Sequence, residues 1–261
     1  MSRLAWMLLV TLFPLVCLVV PARAQEIGPG ISENLAAGRS PIDFHSRVRL
    51  RTGYLGLPAG VRLVPTSLAG TWAPLPSVAL RLRLPVNYAD PGNSGGSGEF
   101  GIGDVSTRVM WRFLDTTRVS AFAGVEFAFP TASDPLLGTQ KYSVIPAAAL
   151  YIPVLDRVSF IPIYQQLISF AGAGDRADLN IVRFRPVVLA QWPRGWWTML
   201  DPGFLWDLED DLDTKDTMTL GLEVGKLLTK RLAVTGKPSI QVYGTEDFAW
   251  AMELSITFNF D

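Results

Sequence analysis

His45 is the only histidine in the chain and Cys17 the only cysteine, so the side chains that most often act as base, nucleophile or metal ligand are scarce. His45 is flanked by Phe44 and Ser46, and Arg47, Arg49 and Arg51 share its face at alternate positions. A serine–histidine pair of the kind used by barrel lipases needs an acid to orient the imidazole. A lone histidine is weak evidence for such a site. Asp104 and Glu126 are of a type suited to acid–base work, but salt bridging to arginines explains them more simply. The glycine-rich run from Gly92 to Gly98 lacks the lysine and the strand-to-helix setting of a phosphate cradle, and reads as a flexible exterior loop. Glu209, Asp210, Asp211 and Asp213 carry oxygens that a divalent cation accepts, but a solvated acidic loop is the simpler reading. We expect no enzyme, no cofactor and no metal centre.

The chemistry that remains is electrostatic, and its pattern is period two. Arg81 and Arg83 alternate with Leu80, Leu82 and Leu84; Asp104, Arg108 and Arg112 alternate with Val105, Val109 and Trp111. An alternating strand has one apolar and one polar face. The same parity assigns Arg47, Arg49, Glu126, Arg183, Arg185, Asp201, Glu223 and Glu253 to polar faces, together with Arg51, Asp207 and Lys237. If the apolar faces meet lipid, these charges line a lumen. Two roles stay open: structural pairing, since buried unpaired charge is costly, and a transverse field that selects solutes. Closure of the wall would set Glu253 against Arg47 or Arg49. Gln165 and Gln166 leave the phase of their strand ambiguous.

The elements that must position these residues are strands. Alternation and turn residues give about twelve: 43–54, 61–72, 77–88, 100–114, 118–129, 141–152, 157–170, 179–192, 196–207, 216–227, 231–243 and 247–260. The last is the clearest. Phe248, Trp250, Met252, Leu254, Ile256, Phe258 and Phe260 alternate with small or polar residues. Connections alternate between short turns, such as Pro193-Arg194-Gly195, and longer loops, such as Pro130 to Gln140. Outer-membrane barrels have short periplasmic turns and longer extracellular loops. The Pro130 to Gln140 loop is long enough to fold into the mouth. Aromatic residues fall near both expected rims, where amphipathic rings prefer to sit.

The chain opens with Arg3, an apolar run from Leu4 to Val20 and an Ala22-Arg23-Ala24 cleavage pattern. Residues 1–24 are expected to be a cleaved signal peptide, 25–42 a short periplasmic lead-in and 43–261 the barrel. The net charge of −1 becomes −1 − 2 = −3 once Arg3 and Arg23 are removed, which gives no basis for nucleic-acid binding. The expected fold class is therefore all-β, a transmembrane antiparallel up-and-down barrel.

Short motifs along the chain resemble a known family. They are Gly101-Ile102-Gly103-Asp104 with Arg112-Phe113, Pro130-Thr131-Ala132-Ser133-Asp134 with Leu137-Gly138-Thr139, Ser169-Phe170-Ala171-Gly172, Arg185-Pro186 and Asp201-Pro202. In order and spacing they resemble the outer-membrane transporters named after the meta-pathway of phenol degradation, over residues 75–260. The chain departs from that pattern at Ala132, Tyr142 and Asp261. The resemblance implies an outer-membrane barrel linked with uptake of hydrophobic or aromatic compounds. The expected function is a channel for passive uptake of small solutes, with a closed structural or receptor barrel as the alternative. Expected partners are outer-membrane lipid, the barrel assembly machinery and a small-molecule solute.

Overall fold

The structure is a computed structural model, which describes residues 42–57, 60–92, 97–209, 216–244 and 250–260. The expected signal peptide, most of the lead-in, Asn93 to Gly96, Asp210 to Asp213, Phe248 and Asp261 lie outside the described residues.

Among the described residues, thirteen strand segments follow one another. They are β1 (Arg47–Gly56), β2 (Arg62–Leu75), β3 (Val78–Asp90), β4 (Glu99–Ile102), β5 (Ser106–Asp115), β6 (Ser120–Ala128), β7 (Lys141–Leu155), β8 (Val158–Gly172), β9 (Asn180–Trp192), β10 (Trp196–Asp207), β11 (Asp216–Leu227), β12 (Leu232–Gly244) and β13 (Trp250–Asn259). β4 and β5 both pair with β3 and act as one interrupted wall strand, so twelve strands build the wall. Every neighbour is antiparallel, β1 pairs with both β2 and β13, and the β2–β3 pairing closes the ring. A closed ring leaves no free edge, the arrangement that lets strands cross a membrane.

Alternation along each strand decides which face looks where. On β3, Leu80, Leu82, Leu84, Val86 and Tyr88 are exposed on the outside, while Ala79 and Arg81 are buried inside. On β13, Trp250, Leu254, Ile256 and Phe258 are outside, and Ser255, Thr257 and Asn259 are inside. The outer surface thus carries large apolar residues on strand after strand. In water such a surface would be an aggregation site; in a bilayer it is the required one. Trp72, Trp111, Trp192, Trp196 and Phe260 stand exposed near the turn-bearing rim. Tyr88, Phe129, Tyr142, Trp206 and Trp250 stand near the loop-bearing rim, where Trp250 stacks on Tyr54 with ring centroids 5.2 Å apart.

The turns are tight for local reasons. Pro193–Gly195 reverses the chain with Arg194 at φ 63° and Gly195 at φ 75°, both left-handed. Thr116 closes the β5–β6 turn, its N–H and hydroxyl both donating to the Val119 carbonyl.

Two details correct the sequence reading. The fourth expected strand, 100–114, breaks at Gly103-Asp104-Val105, so Asp104 sits in a bulge rather than a regular strand. The first begins at Arg47, not at 43, and residues 42–46 approach it as irregular chain. Gln165 resolves to the inside, where it is buried.

Candidate functional site

The inner face is layered. At the turn-bearing end, Ala79, Met110, Phe122, Ala149, Ile161, Ile163, Val187, Leu189, Trp197, Met199 and Ala233 form one apolar cluster. Phe44, from the irregular segment before β1, completes it. Its ring is 3 % exposed and meets Phe122 edge-on at 6.0 Å, and its N–H donates to the Pro76 carbonyl at 3.0 Å. Arg112 fixes this segment by donating from Nη1 to the Ile42 carbonyl at 2.9 Å and to Asp43 Oδ1 at 2.7 Å. Arg112 also lies 3.4 Å from Asp115.

Above this layer lies a belt of charge. Backbone register sets Arg81 of β3 opposite Arg108 of β5, and Arg108 opposite Glu126 of β6. Two arginines side by side repel; Glu126 answers both. It accepts from Arg108 Nη2 and from Arg81 Nη2 at 3.3 Å, with Arg83 Nη2 3.8 Å away. Arg83 Nε also donates to Ser106 Oγ at 3.2 Å. On the opposite wall Arg185 of β9 grips Asp201 of β10 through two nitrogens, Nε to Oδ1 at 2.8 Å and Nη2 to Oδ2. Lys237 of β12 donates to the same Asp201 Oδ2 at 2.6 Å. To do so it crosses β11 over Gly221, where a Cβ would lie 2.7 Å from Lys237 Cε. Arg183 lies within electrostatic range of Asp201, Glu253, Arg185 and Arg51.

The seam between β1 and β13 carries the rest. Arg51 Nη2 donates to Glu253 Oε2 at 2.6 Å. Glu253 is thus the partner of Arg51, not of Arg47 or Arg49: its register partner on β1 is Gly53, and the long arginine two residues earlier reaches it diagonally. Arg49 Nε instead donates to Thr257 Oγ1 at 2.8 Å. Arg47 is buried near the turn-bearing end of β1. Glu223 accepts from Trp197 Nε1 at 3.0 Å.

The loop-bearing end is filled by loops. Leu137, in the connection after β6, is 3 % exposed and packs with Leu57, Leu63 and Ala89. Asp104 organises that connection. Its Oδ2 accepts from Thr139 N at 2.6 Å and Thr139 Oγ1 at 2.7 Å, and its Oδ1 from Ala132 N at 3.2 Å. Ser133 N donates to the Ile102 carbonyl at 2.9 Å, so this loop also covers the open edge of β4. Gly138 allows the approach, since a Cβ there would lie 2.6 Å from Asp104 Oδ1. A second cluster, Ile145, Leu167, Leu179 and Ile181, lies beneath the β8–β9 connection. Lys141 ties it down by donating to Asp178 Oδ1 at 2.8 Å. That hydrogen bond and the ammonium's charge hold the Asp178 carboxyl below its ordinary range. The stabilisation is present above the ordinary carboxylate pKa and is lost as pH falls through the depressed value.

Of the thirteen candidate residues, Arg47, Arg49, Arg81, Asp104, Arg108, Glu126, Arg185, Asp201 and Glu223 are buried, and Arg83, Arg112, Arg183 and Glu253 are half-buried. They separate into groups: the Glu126 cluster, the Asp201 cluster, the Arg51–Glu253 seam, Arg112 at one end and Asp104 at the other. Sequence reading left out Phe44 as a lumen residue, because it was counted as part of a strand. It also left out Lys141, Asp178 and Trp197. Trp197 carried a legible sign, since it alternates with the outward Trp196.

No family model matches the chain, and no curated relative matches it. Solved structures do match. An outer membrane channel from Pseudomonas putida F1 superposes with a TM-score of 0.68 at 13% identity, covering 90% of this chain and 100% of that one. The NanC porin gives 0.61 at 12% identity, covering 81% of this chain and 98% of the porin. The KdgM porin gives 0.54 at 8% identity, covering 82% of this chain and 99% of the porin. At such identities the likeness defines the fold: a closed twelve-stranded antiparallel barrel of the kind that outer-membrane channels use.

Proposed function

We propose that the chain is an outer-membrane channel for passive uptake of small solutes. One observation carries this reading. The fillings at both ends of the lumen include residues from irregular segments, Phe44 before β1 and Leu137 after β6. Such residues can withdraw without breaking a strand pairing. A barrel that served only as a structural block needs no separable fillings. The apolar exterior supports contact with outer-membrane lipid, and the aromatic closing strand suits recognition by the barrel assembly machinery. The family resemblance adds hydrophobic or aromatic compounds as the solute class.

The second reading is a closed structural or receptor barrel, favoured by the breadth of the apolar layer around Met110 and Ile161. Single-channel recording of the refolded chain in a planar bilayer separates the two. Discrete openings whose size scales with salt are expected. A folded, heat-modifiable barrel that stays silent at every potential would overturn the channel reading.

A further inference from the structure

The turn-bearing rim carries a row of arginines. Arg118 lies between β5 and β6, Arg157 between β7 and β8, Arg194 between β9 and β10, and Arg231 between β11 and β12. These hairpins are neighbours around the wall, so the arginines follow one another along one continuous arc. Successive turns are two strands apart, at about 10 Å. All four arginines are exposed. Their backbones are fixed. Arg118 N donates to Thr116 Oγ1 at 3.3 Å, Gln191 N donates to the Arg157 carbonyl at 2.8 Å, and Asn259 N donates to the Arg231 carbonyl at 2.8 Å. The Arg194 carbonyl accepts from Lys226 Nζ, which lies 5.1 Å from the centre of the Trp196 ring. Each cation therefore stands on a pinned turn at a set level of the wall.

Exposed apolar surface lies beside each arginine in the chain. Leu114 comes before Arg118, Leu155 before Arg157 and Leu228 before Arg231, while Trp192 and Trp196 flank Arg194. Such rings prefer the interface between membrane and water. A guanidinium fork matches two oxygens of a phosphate, and basic residues at the edge of a membrane attract anionic headgroups. Two exposed acids share this rim among the described residues, Asp115 and Asp156. Asp115 is engaged locally, 3.4 Å from Arg112 and accepting from Ser120 Oγ at 2.8 Å. The loop-bearing rim differs in sign: among the described residues, Asp175, Asp178 and Asp216 stand exposed there against Arg62.

We infer that the turn-bearing rim binds the phosphate headgroups of anionic phospholipids, so that the barrel selects phosphatidylglycerol over phosphatidylcholine in the leaflet around its turns. The exposed leucines and tryptophans meet the acyl chains, and the arginines above them meet the phosphates. The inference rests on the wall's crossing a membrane, which is part of the reading above, and not on conduction.

The test uses the chain refolded into phosphatidylcholine vesicles that carry a fixed fraction of brominated phosphatidylglycerol or of brominated phosphatidylcholine. Quenching of tryptophan fluorescence is the readout, and Trp192 and Trp196 report on lipid at the Arg194 turn. At low salt, brominated phosphatidylglycerol is expected to bind about fivefold better, the effect of one arginine near a membrane surface. The preference should shrink as added salt screens it. A variant combining Arg118→Gln, Arg157→Gln, Arg194→Gln and Arg231→Gln should lose it. If that variant does not refold, Arg194→Gln alone should show a partial loss. Equal quenching by the two lipids overturns the inference. So does a preference that the combined variant keeps, since the anionic lipid then binds elsewhere on the wall. A rim that binds polyglutamate in solution and shows no lipid preference has an acidic protein as its partner, and the inference falls. A silent barrel with the expected preference overturns the channel reading and supports the rim; a conducting barrel without it does the reverse.

Discussion

Arg185 and Asp201 staple β9 to β10 at a level where the backbone between them has lost its rungs. The β9–β10 register runs from Trp196↔Trp192 to Leu200↔Val188 and resumes only at Phe204↔Phe184. Continuing it through the gap brings Pro202 opposite Pro186, and neither has an N–H to donate. Arg185 and Asp201 are the immediate neighbours of these prolines, and both are nearly inaccessible to solvent, at 0% and 3% exposure. The side-chain pair stands where main-chain bonds are missing.

Breaking that pair from one side should be severe. Asp201→Ala removes the acid that buried Arg185 and half-buried Lys237 share, which costs about 3–5 kcal/mol. Arg185→Met with Asp201→Leu removes both charges and should recover much of the loss. Urea midpoints of the folded barrel, read by heat-modifiable gel mobility, compare the two. Equal losses for single and double variants would show that the pair does not act as a staple.

The inside–outside assignment predicts opposite outcomes for adjacent residues. Leu82 faces outward with 46% exposure, while Arg83 faces the Glu126 cluster. Leu82→Arg sets a charge toward lipid near mid-depth, at about 2–4 kcal/mol, and should lower the yield of assembled protein. Arg83→Ala should assemble normally, since Glu126 keeps Arg81 and Arg108. Matching yields in vesicle refolding would reject the assignment.

Phe44 seals from a segment rather than from the wall. Phe44→Ala should enlarge conductance while leaving the barrel's thermal midpoint close to that of the parent chain, because no strand pairing is touched. A truncated core phenylalanine normally costs about 3–5 kcal/mol; here that cost falls on docking of residues 42–46. A large drop in barrel stability with no gain in conductance would mean that Phe44 is part of the core that holds the wall together.

At the other end the same logic applies to Asp104. Asp104→Ala removes the acceptor of Thr139 N and Ala132 N, at about 1–3 kcal/mol for the buried Thr139 donor and less for the half-buried Ala132. The loop after β6 should then be cleaved faster by proteases added from outside, and open-state current should become noisier. An unchanged cleavage rate would show that the other contacts of the loop suffice to hold it.

Asp104 also shows how short motifs far apart in the sequence can meet. Its glycine-rich motif and the Pro130 to Thr139 motifs lie far apart in sequence, yet they meet at the Asp104 carboxylate. Arg185-Pro186 and Asp201-Pro202 are likewise two motifs that form one joint. Short motifs of this kind record contacts between elements, and their spacing alone does not reveal which motif meets which.

Period-two alternation by itself determined that this chain forms strands, which face of each is apolar, and where most turns fall, because side-chain direction in a strand is a local property of the backbone. It therefore placed Arg81, Glu126, Arg185 and Asp201 on the inside before any contact was known. Only the closed wall decided the pairings. Register and the reach of long side chains gave Glu253 to Arg51 rather than Arg49, and let Lys237 cross Gly221 to Asp201. The length of the Pro130 to Gln140 loop allowed it to fold into the mouth, but only the tertiary structure showed that Leu137 is the residue that packs there and that Phe44 turns into the lumen, since irregular segments carry no periodicity to betray where they go.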